Sequence, residues 1–543
     1  MKIYIRIWYT LVFLLSYGYV AVGKAFDPQG AIQEAEFVIK KERKNALPEF
    51  PKLFKNAPLM PEDTKPIFQY LWDWEYPLIP FQPIEHKVKL LRMQPDKLEE
   101  VYSNCLRMGY GNYYTPYLMA FLTQQIQHAY VYDILISHIS AGTKQHFETF
   151  HNQAEVGGKL FTNSFILTHA IHYHWDKYPF FALKQGKPLP TVDPTQYLVY
   201  QNGGIVTELY NRIAGPFNYN LQVEGGYLHQ EKIKEPQGAM RLHVNGRLTA
   251  DLRANVDTTC HLIQYTHPGN ALSKLRNVMT FTPTLDTVIQ KLAITTGVKL
   301  AYQNDTHALA KRLDWYPAIR ISYALHNAFQ PYVTVDGDME PQSWATYIQQ
   351  NPWIHHTVAI QYVNRPVAGT LGVQGDVLNL QWHVGITCSR YQNYPCFTNH
   401  ASDPRTFDIQ YDSLAIVTHE FVEVSIYNMA LRTLLQVKYF QYALTDLQAP
   451  WHRPTYQLGL ANTYNFHEKL LVTLHLLWEG GRKAKKDHTL PLCMDLALGL
   501  EYFWNQRFVI FIDWQNMLAR ANQKYLYTPT YGSHIVAGIA YRW

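Results

Sequence analysis

Leu492-Cys493-Met494-Asp495-Leu496-Ala497-Leu498-Gly499-Leu500-Glu501-Tyr502 is the stretch whose reading decides the fold. Its even positions are Leu, Met, Leu, Leu, Leu and Tyr; its odd positions are Cys, Asp, Ala, Gly and Glu. Successive side chains of a strand point to opposite faces, so this period of two predicts a strand with one apolar face and one small or polar face. After a tight turn at Trp504-Asn505-Gln506, Phe508, Ile510, Ile512 and Trp514 alternate with Arg507, Val509, Phe511, Asp513 and Gln515, which completes a hairpin. Soluble strands average about five or six residues, whereas the run from Leu492 to Tyr502 is as long as a tilted strand must be to cross hydrocarbon. Aromatic residues gather where an interfacial girdle would stand, at Tyr502, Phe503, Trp504 and Trp514. An open sheet edge in lipid would leave backbone groups unpaired at several kcal/mol each, so such strands must close into a cylinder.

The same alternation recurs upstream. Tyr456, Leu458 and Leu460 alternate with Gln457, Gly459 and Ala461, and a turn through Asn465 to Lys469 opens a strand carrying Leu470, Val472, Leu474, Leu476 and Trp478. Thr473, His475 and Glu479 hold its opposite face, with Leu477 as an exception. Leu378, Leu380, Trp382, Val384 and Ile386 alternate with Asn379, Gln381, His383 and Gly385. At the C-terminus Ile535, Ala537, Ile539, Tyr541 and Trp543 share a face, and this pattern resembles the assembly signal of outer-membrane barrels, with Ile539, Tyr541 and Trp543 as its core. The expected fold is therefore all-β: a closed antiparallel transmembrane β-barrel of about 18–20 strands, even in number, between residues 101 and 543. Longer loops at Ala141 to Asn152, Gln230 to Gln237, Gln392 to Pro404, Gly480 to Thr489 and Leu518 to Tyr531 should face outward, and the tight turns should face the periplasm.

Composition agrees. Charged residues are only 17%, while 40 Tyr, 25 Phe and 13 Trp supply one-sided strands with apolar surface. A net charge of +5 is small for 543 residues and implies no nucleic-acid partner. Lys2 and Arg6 precede an apolar run from Ile7 to Val22, with small residues at Ala21, Gly23 and Ala25, as in a secretory leader over residues 1–25. Residues 26–100 are rich in proline, from Pro48 to Pro95, which resists both helix and central strand. They read as an extended periplasmic or lumen-lying segment, with a short helix possible over Ala31 to Arg43. Five scattered Cys make no disulfide scaffold; Cys388 and Cys396 either bridge a loop or stay free.

No catalytic constellation is visible, and no enzyme, cofactor or metal is expected. His419-Glu420 and His467-Glu468 begin like a zinc-protease helix, but Glu423 and Leu471 stand where the second His belongs. His172, His174 and Asp176 share one face of a strand and could grip copper or zinc, although a polar wall is the plainer reading. The polar candidates for the lumen are these three with Gln381, His383, His475, Asp495 and Glu501. Arg482, Lys483, Lys485 and Lys486 form a basic cluster that reads as a solvated loop, or as a contact for lipopolysaccharide.

Several short motifs stand out: Val88-Lys89-Leu90 through Leu98 and Tyr102, Gly109-Tyr110-Gly111-Asn112-Tyr113-Tyr114-Thr115-Pro116, Trp315-Tyr316-Pro317, Asp336-Gly337-Asp338 and Asn351-Pro352-Trp353. Together they resemble a plug-less, TonB-dependent-receptor-like barrel family of Bacteroidota. The most alike is Trp451-His452-Arg453-Pro454 through His467-Glu468-Lys469 to Gly480-Gly481-Arg482-Lys483-Ala484-Lys485, and Asn516 to Trp543 resembles the last hairpin of such receptors. The resemblance implies an integral protein of a Gram-negative outer membrane, in contact with its lipid and lipopolysaccharide, with the barrel assembly machinery during biogenesis, and with periplasmic or outer-membrane protein partners. The resemblance implies a barrel without a receptor's N-terminal plug, the span between the expected leader and the expected first strand being short for one. Two roles are open: a channel or transporter for small solutes, separable by conductance from a non-conducting structural or scaffold barrel in outer-membrane assembly or surface export.

Overall fold

The computed structural model describes residues 103–543 except 127–128, 143–146, 185–186, 250, 266–273, 306–311 and 487. The leader, the proline-rich segment and the helix expected over Ala31 to Arg43 lie outside the described residues.

The strands are, in order, β1 (Cys105–Gly111), β2 (Thr115–Ile126), β3 (Tyr130–Gly142), β4 (Phe147–Phe161), β5 (Phe165–Lys184), β6 (Lys187–Asn211), β7 (Phe217–Gln230), β8 (Ile233–Arg247), β9 (Leu252–Tyr265) and β10 (Lys274–Ile289). They continue as β11 (Leu292–Gln303), β12 (Leu313–Tyr323), β13 (Gln330–Glu340), the helix α1 (Trp344–Gln350), β14 (Val363–Val377), β15 (Leu380–Gln392), β16 (Tyr394–Asn399), β17 (Phe407–Asp412), β18 (Ala415–Tyr427) and β19 (Leu431–Leu444). The last are β20 (Tyr456–Phe466), β21 (Leu470–Gly480), β22 (Lys483–Lys485), β23 (His488–Thr489), β24 (Cys493–Phe503), β25 (Phe508–Gln515), β26 (Gln523–Tyr525), β27 (Thr528–Pro529) and β28 (His534–Arg542).

Twenty-two of these strands form one antiparallel sheet, and β1 pairs with β28 to close it. The small pairs β16–β17, β22–β23 and β26–β27 stand apart from the barrel sheet, in the connections. The count is even, as expected, but exceeds the 18–20 read from the sequence. Strands between residues 196 and 305 carry polar residues on both faces in places, so period alone under-counts them.

Three further expectations are corrected. Of Ala141 to Asn152, Ala141 and Gly142 belong to β3 and Phe147 to Asn152 belong to β4, with Ala141 paired to Thr149. Gln230 to Gln237 is strand except at Glu231 and Lys232, because β7 and β8 pair right up to Gln230 and Ile233. Leu378 belongs to a turn rather than to the strand that follows; it has φ 58° and is 96% exposed, with β15 starting at Leu380. The strands themselves are set by alternation. Leu498, Leu500 and Tyr502 of β24 face Trp514, Ile512 and Ile510 of β25, and Ile510 and Ile512 in turn face Ile539 and Ala537 of β28. This continuous apolar band is the lipid-facing surface.

The connections at one end, among them 341–362, 393–414, 445–455, 481–492 and 516–533, are long, whereas those at the other end, such as 378–379 and 467–469, are tight turns. Outer-membrane barrels carry short turns on the periplasmic side and longer loops outside.

Candidate functional site at the loop-bearing mouth

The inner face of the wall is identified by contacts between strands that are not neighbours. Arg107 of β1 donates from Nη1 to Glu501 of β24 at 2.7 Å and from Nη2 to Asp513 of β25 at 3.4 Å. Only the concave side brings such separated strands within reach, and directly opposed residues share a face, so the register carries the assignment round the sheet. Arg107 faces Met119, which faces Ser137, which faces Gln153, which faces His174. His172 and Asp176 share that face with His174. Asp495, Glu501 and His475 share it through Phe511, opposite Glu501, and Ala497, opposite His475. His383 stands between Gln374 and Glu423, with Gln381 two residues away on the same side.

The structure does not gather these eight residues into one site. Asp176 bonds His151 at 2.9 Å, and the His172 and His174 rings lie 5.7 Å apart. His383 bonds the Tyr332 hydroxyl at 2.6 Å, and Gln381 reaches Asp376 at 3.4 Å. Asp495 accepts from the Asn516 amide at 3.1 Å, while Glu501 pairs with Arg107 and Arg542. They are polar groups in different sectors of one wall.

What sequence reading missed is the packing at the mouth. α1 is short, but its sequence is punctuated: the Ser343 side chain accepts from the Thr346 amide at 3.0 Å as N-cap, and Asn351-Pro352 ends it. Glu235 of β8, fully buried, accepts from the Trp344 and Ala345 amides at 2.9 and 3.3 Å and so ties the helix to the wall. Trp344, Tyr347 and Ile348 of α1 then pack with Ile354, Val358 and Ile360, with Phe397 of β16, with Phe407 and Ile409 of β17, with Tyr525 of β26, and with Tyr200, Leu228 and Ile233 of β6, β7 and β8.

These elements come from strands about a third of the way round the 22-stranded sheet from one another: β6 to β8, then β13 to β18, then β25 to β28. A single core shared among them must span the mouth. Hydrogen bonds follow the same lines: Tyr200 donates to the Pro352 carbonyl at 2.6 Å, Trp353 Nε1 to the Pro179 carbonyl at 3.0 Å, and the Tyr525 hydroxyl to the Gln350 carbonyl at 2.7 Å. Arg405 reaches Gln196 at 2.6 Å and the Phe181 carbonyl at 3.3 Å. A buried ion pair of Arg276 and Asp305, at 2.8 Å, holds a second point: Asp305 also accepts from the Tyr362 amide at 3.2 Å, and Arg276 lies over the Tyr362 ring.

The motifs that looked most distinctive in the sequence turn out to be fasteners of this cap. His452 is buried between Phe407 and Tyr525 and Arg453 donates to the Pro395 carbonyl at 2.7 Å, whereas Tyr316 of β12 donates to Asn364 of β14 at 2.8 Å within the wall. Arg482, expected in a solvated cluster, is 2% exposed and pairs with Glu479, so it serves the fold; Lys483 and Lys485 remain exposed. Cys388 and Cys396 are both free: one is exposed on the wall, and burial pushes the thiol of the other up to about 11.

Neither a family model nor a curated protein sequence matches the chain. Solved structures do. The ferripyoverdine receptor of the outer membrane of Pseudomonas aeruginosa aligns with a TM-score of 0.60 at 10% identity, over 81% of this chain and 71% of that one. The FrpB iron transporter from Neisseria meningitidis aligns at 0.60 and 7% identity, and the ferric-catecholate import receptor Fiu from K12 E. coli at 0.58 and 9% identity, each over 81% of both chains. Likeness at such identity speaks for the fold. With a closed 22-stranded cylinder and an apolar outer band, the chain is an integral outer-membrane β-barrel with the architecture of TonB-dependent receptors.

Proposed function

We propose that this barrel is a gated transporter for a small solute, of the plug-less Bacteroidota kind that its motifs resemble, and that the cap is its gate. The observation that carries the reading is the single core joining distant strands across the mouth, which an always-open pore would lack. On this reading His172, His174, Asp176, Gln381, His383, His475, Asp495 and Glu501 line the path beneath, and residues 26–100 act on the periplasmic side or within the lumen. Ile539, Tyr541 and Trp543 serve recognition by the assembly machinery, lipopolysaccharide surrounds the outer rim, and protein partners dock in the periplasm or the membrane. The role is transport rather than catalysis. Since the similar structures are those of an iron transporter and of receptors for ferripyoverdine and ferric catecholate, an iron chelate is the first solute to try.

The test is conductance of the full chain in planar bilayers. Wild type should be silent or flicker briefly, while Trp344→Ala, which empties the centre of the cap core, should show discrete openings. Large steady currents from wild type would overturn gating. The closed cap also favours the scaffold reading, and that reading takes over if folded Trp344→Ala stays silent while partner proteins co-purify.

A further inference from the structure

His355 follows Ile354, whose bridge to Phe407 lays the connection 341–362 along β17, and His400 lies just beyond β16 in the β16–β17 turn. The two rings stack with centroids 4.0 Å apart and planes 10° apart. On His400, Nδ1 stands 2.8 Å from each carboxylate oxygen of Asp408, so it carries the proton and donates it there. On His355, Nδ1 stands 2.7 Å from Thr357 Oγ1. Nε2 of either ring has no hydrogen-bond partner among the described residues. One ligand atom from each of His355, His400 and Asp408 lies within 4.8 Å of the others, and the His356 ring is 4.4 Å from that of His355.

An imidazole held through its Nδ1–H by a carboxylate is one of the recurring arrangements behind metal-ligating histidines, because it fixes the tautomer and leaves Nε2 free. Two neutral imidazoles beside a carboxylate suit zinc, copper or nickel.

We propose that His355 and His400 together bind one divalent transition-metal ion through Nε2, with Asp408 holding His400 in place and water completing the coordination. Stacked rings direct their lone pairs along parallel lines, so sharing an ion requires one ring to tilt; His355 is only partly buried, and the hydroxyl of exposed Thr357 can follow it. The ion clips the connection 341–362 to the β16–β17 hairpin, and it does so whether or not a solute passes beneath.

Full-length barrel in detergent, stripped of metal and titrated with Zn²⁺ alone, should bind one ion per chain. Cu²⁺ in its place should show coupling to two imidazole nitrogens in its electron paramagnetic resonance spectrum. His355→Ala and His400→Ala should each weaken Zn²⁺ at least about tenfold, and Asp408→Asn roughly ten- to a hundred-fold, as loss of an anchoring carboxylate does elsewhere. Heat-modifiable migration confirms that each variant is folded, and His355→Gln repeats the test if the alanine variant does not assemble. Unchanged affinity in folded protein lacking both histidines, or no binding by wild type at millimolar Zn²⁺, overturns the proposal.

Discussion

His452 shows how much of the mouth rests on single side chains. Its Nδ1 donates to the Phe397 carbonyl at 2.7 Å, and its Nε2 accepts from the Leu526 amide at 3.3 Å, so both bonds need the neutral ring. Burial above all, with help from the Arg482 charge and against the bond to Phe397, lowers its pKa to about 4. Above pH 6.5 the ring is neutral folded or unfolded, and pH has no leverage through it. Between pH 6.5 and 4 the unfolded chain takes up the proton and the folded one does not, so the cap loses stability as pH falls, by about 3 kcal/mol in all. Protease cleavage within 445–455 and 516–533 should therefore rise steeply over that range in wild type and much less in His452→Gln. Equal profiles for the two proteins would remove His452 from this role.

Strands and the helix obey different rules. Each barrel strand is specified by its own alternation, because one face meets hydrocarbon and the other does not, and a slip of one residue would exchange them. Leu498 sits mid-way along β24, facing Leu474 and Trp514 on the outer surface. Leu498→Arg should cost about 2–4 kcal/mol if that position lies near the bilayer midplane, whereas Ala497→Arg, one residue away on the inner face, should cost far less. Guanidinium unfolding from lipid vesicles measures both, and equal losses would contradict the assigned faces. The period of two was legible in Leu492 to Tyr502 and in the hairpins around it. The helix α1 and the pairs β16–β17, β22–β23 and β26–β27 were not, because segments this short show no period and take their shape from what they pack against.

The molecule as a whole depends on closure. Arg107, Glu501, Asp513 and Arg542 meet beside the seam between β1 and β28, and the Phe511 ring lies against it with the Arg107 guanidinium 4.2 Å from its centroid. Glycine is needed here: a methyl group on Gly538 would sit 2.1 Å from the Met108 carbonyl oxygen and 2.7 Å from the Phe511 ring. Gly538→Val should thus prevent closure and abolish the heat-modifiable folded band on gels. Gly459→Val, where an added Cβ meets nothing within 4 Å, should assemble normally. Failure of both variants, or of neither, would show that the seam is not limited by this contact.

The alternation of side chains determined, without any structure, that this chain forms a closed barrel of long amphipathic strands with an even count, since strand period and the cost of unpaired backbone in lipid are local and general constraints. It also placed His475, Asp495 and Glu501 on the face opposite the apolar one. The strand total, the burial of Arg482 and His452, and the meeting of His355 with His400 and Asp408 were decided only by tertiary structure. Those features depend on which connections converge over the mouth, and pairings between residues so far apart in the chain leave no periodic trace in sequence.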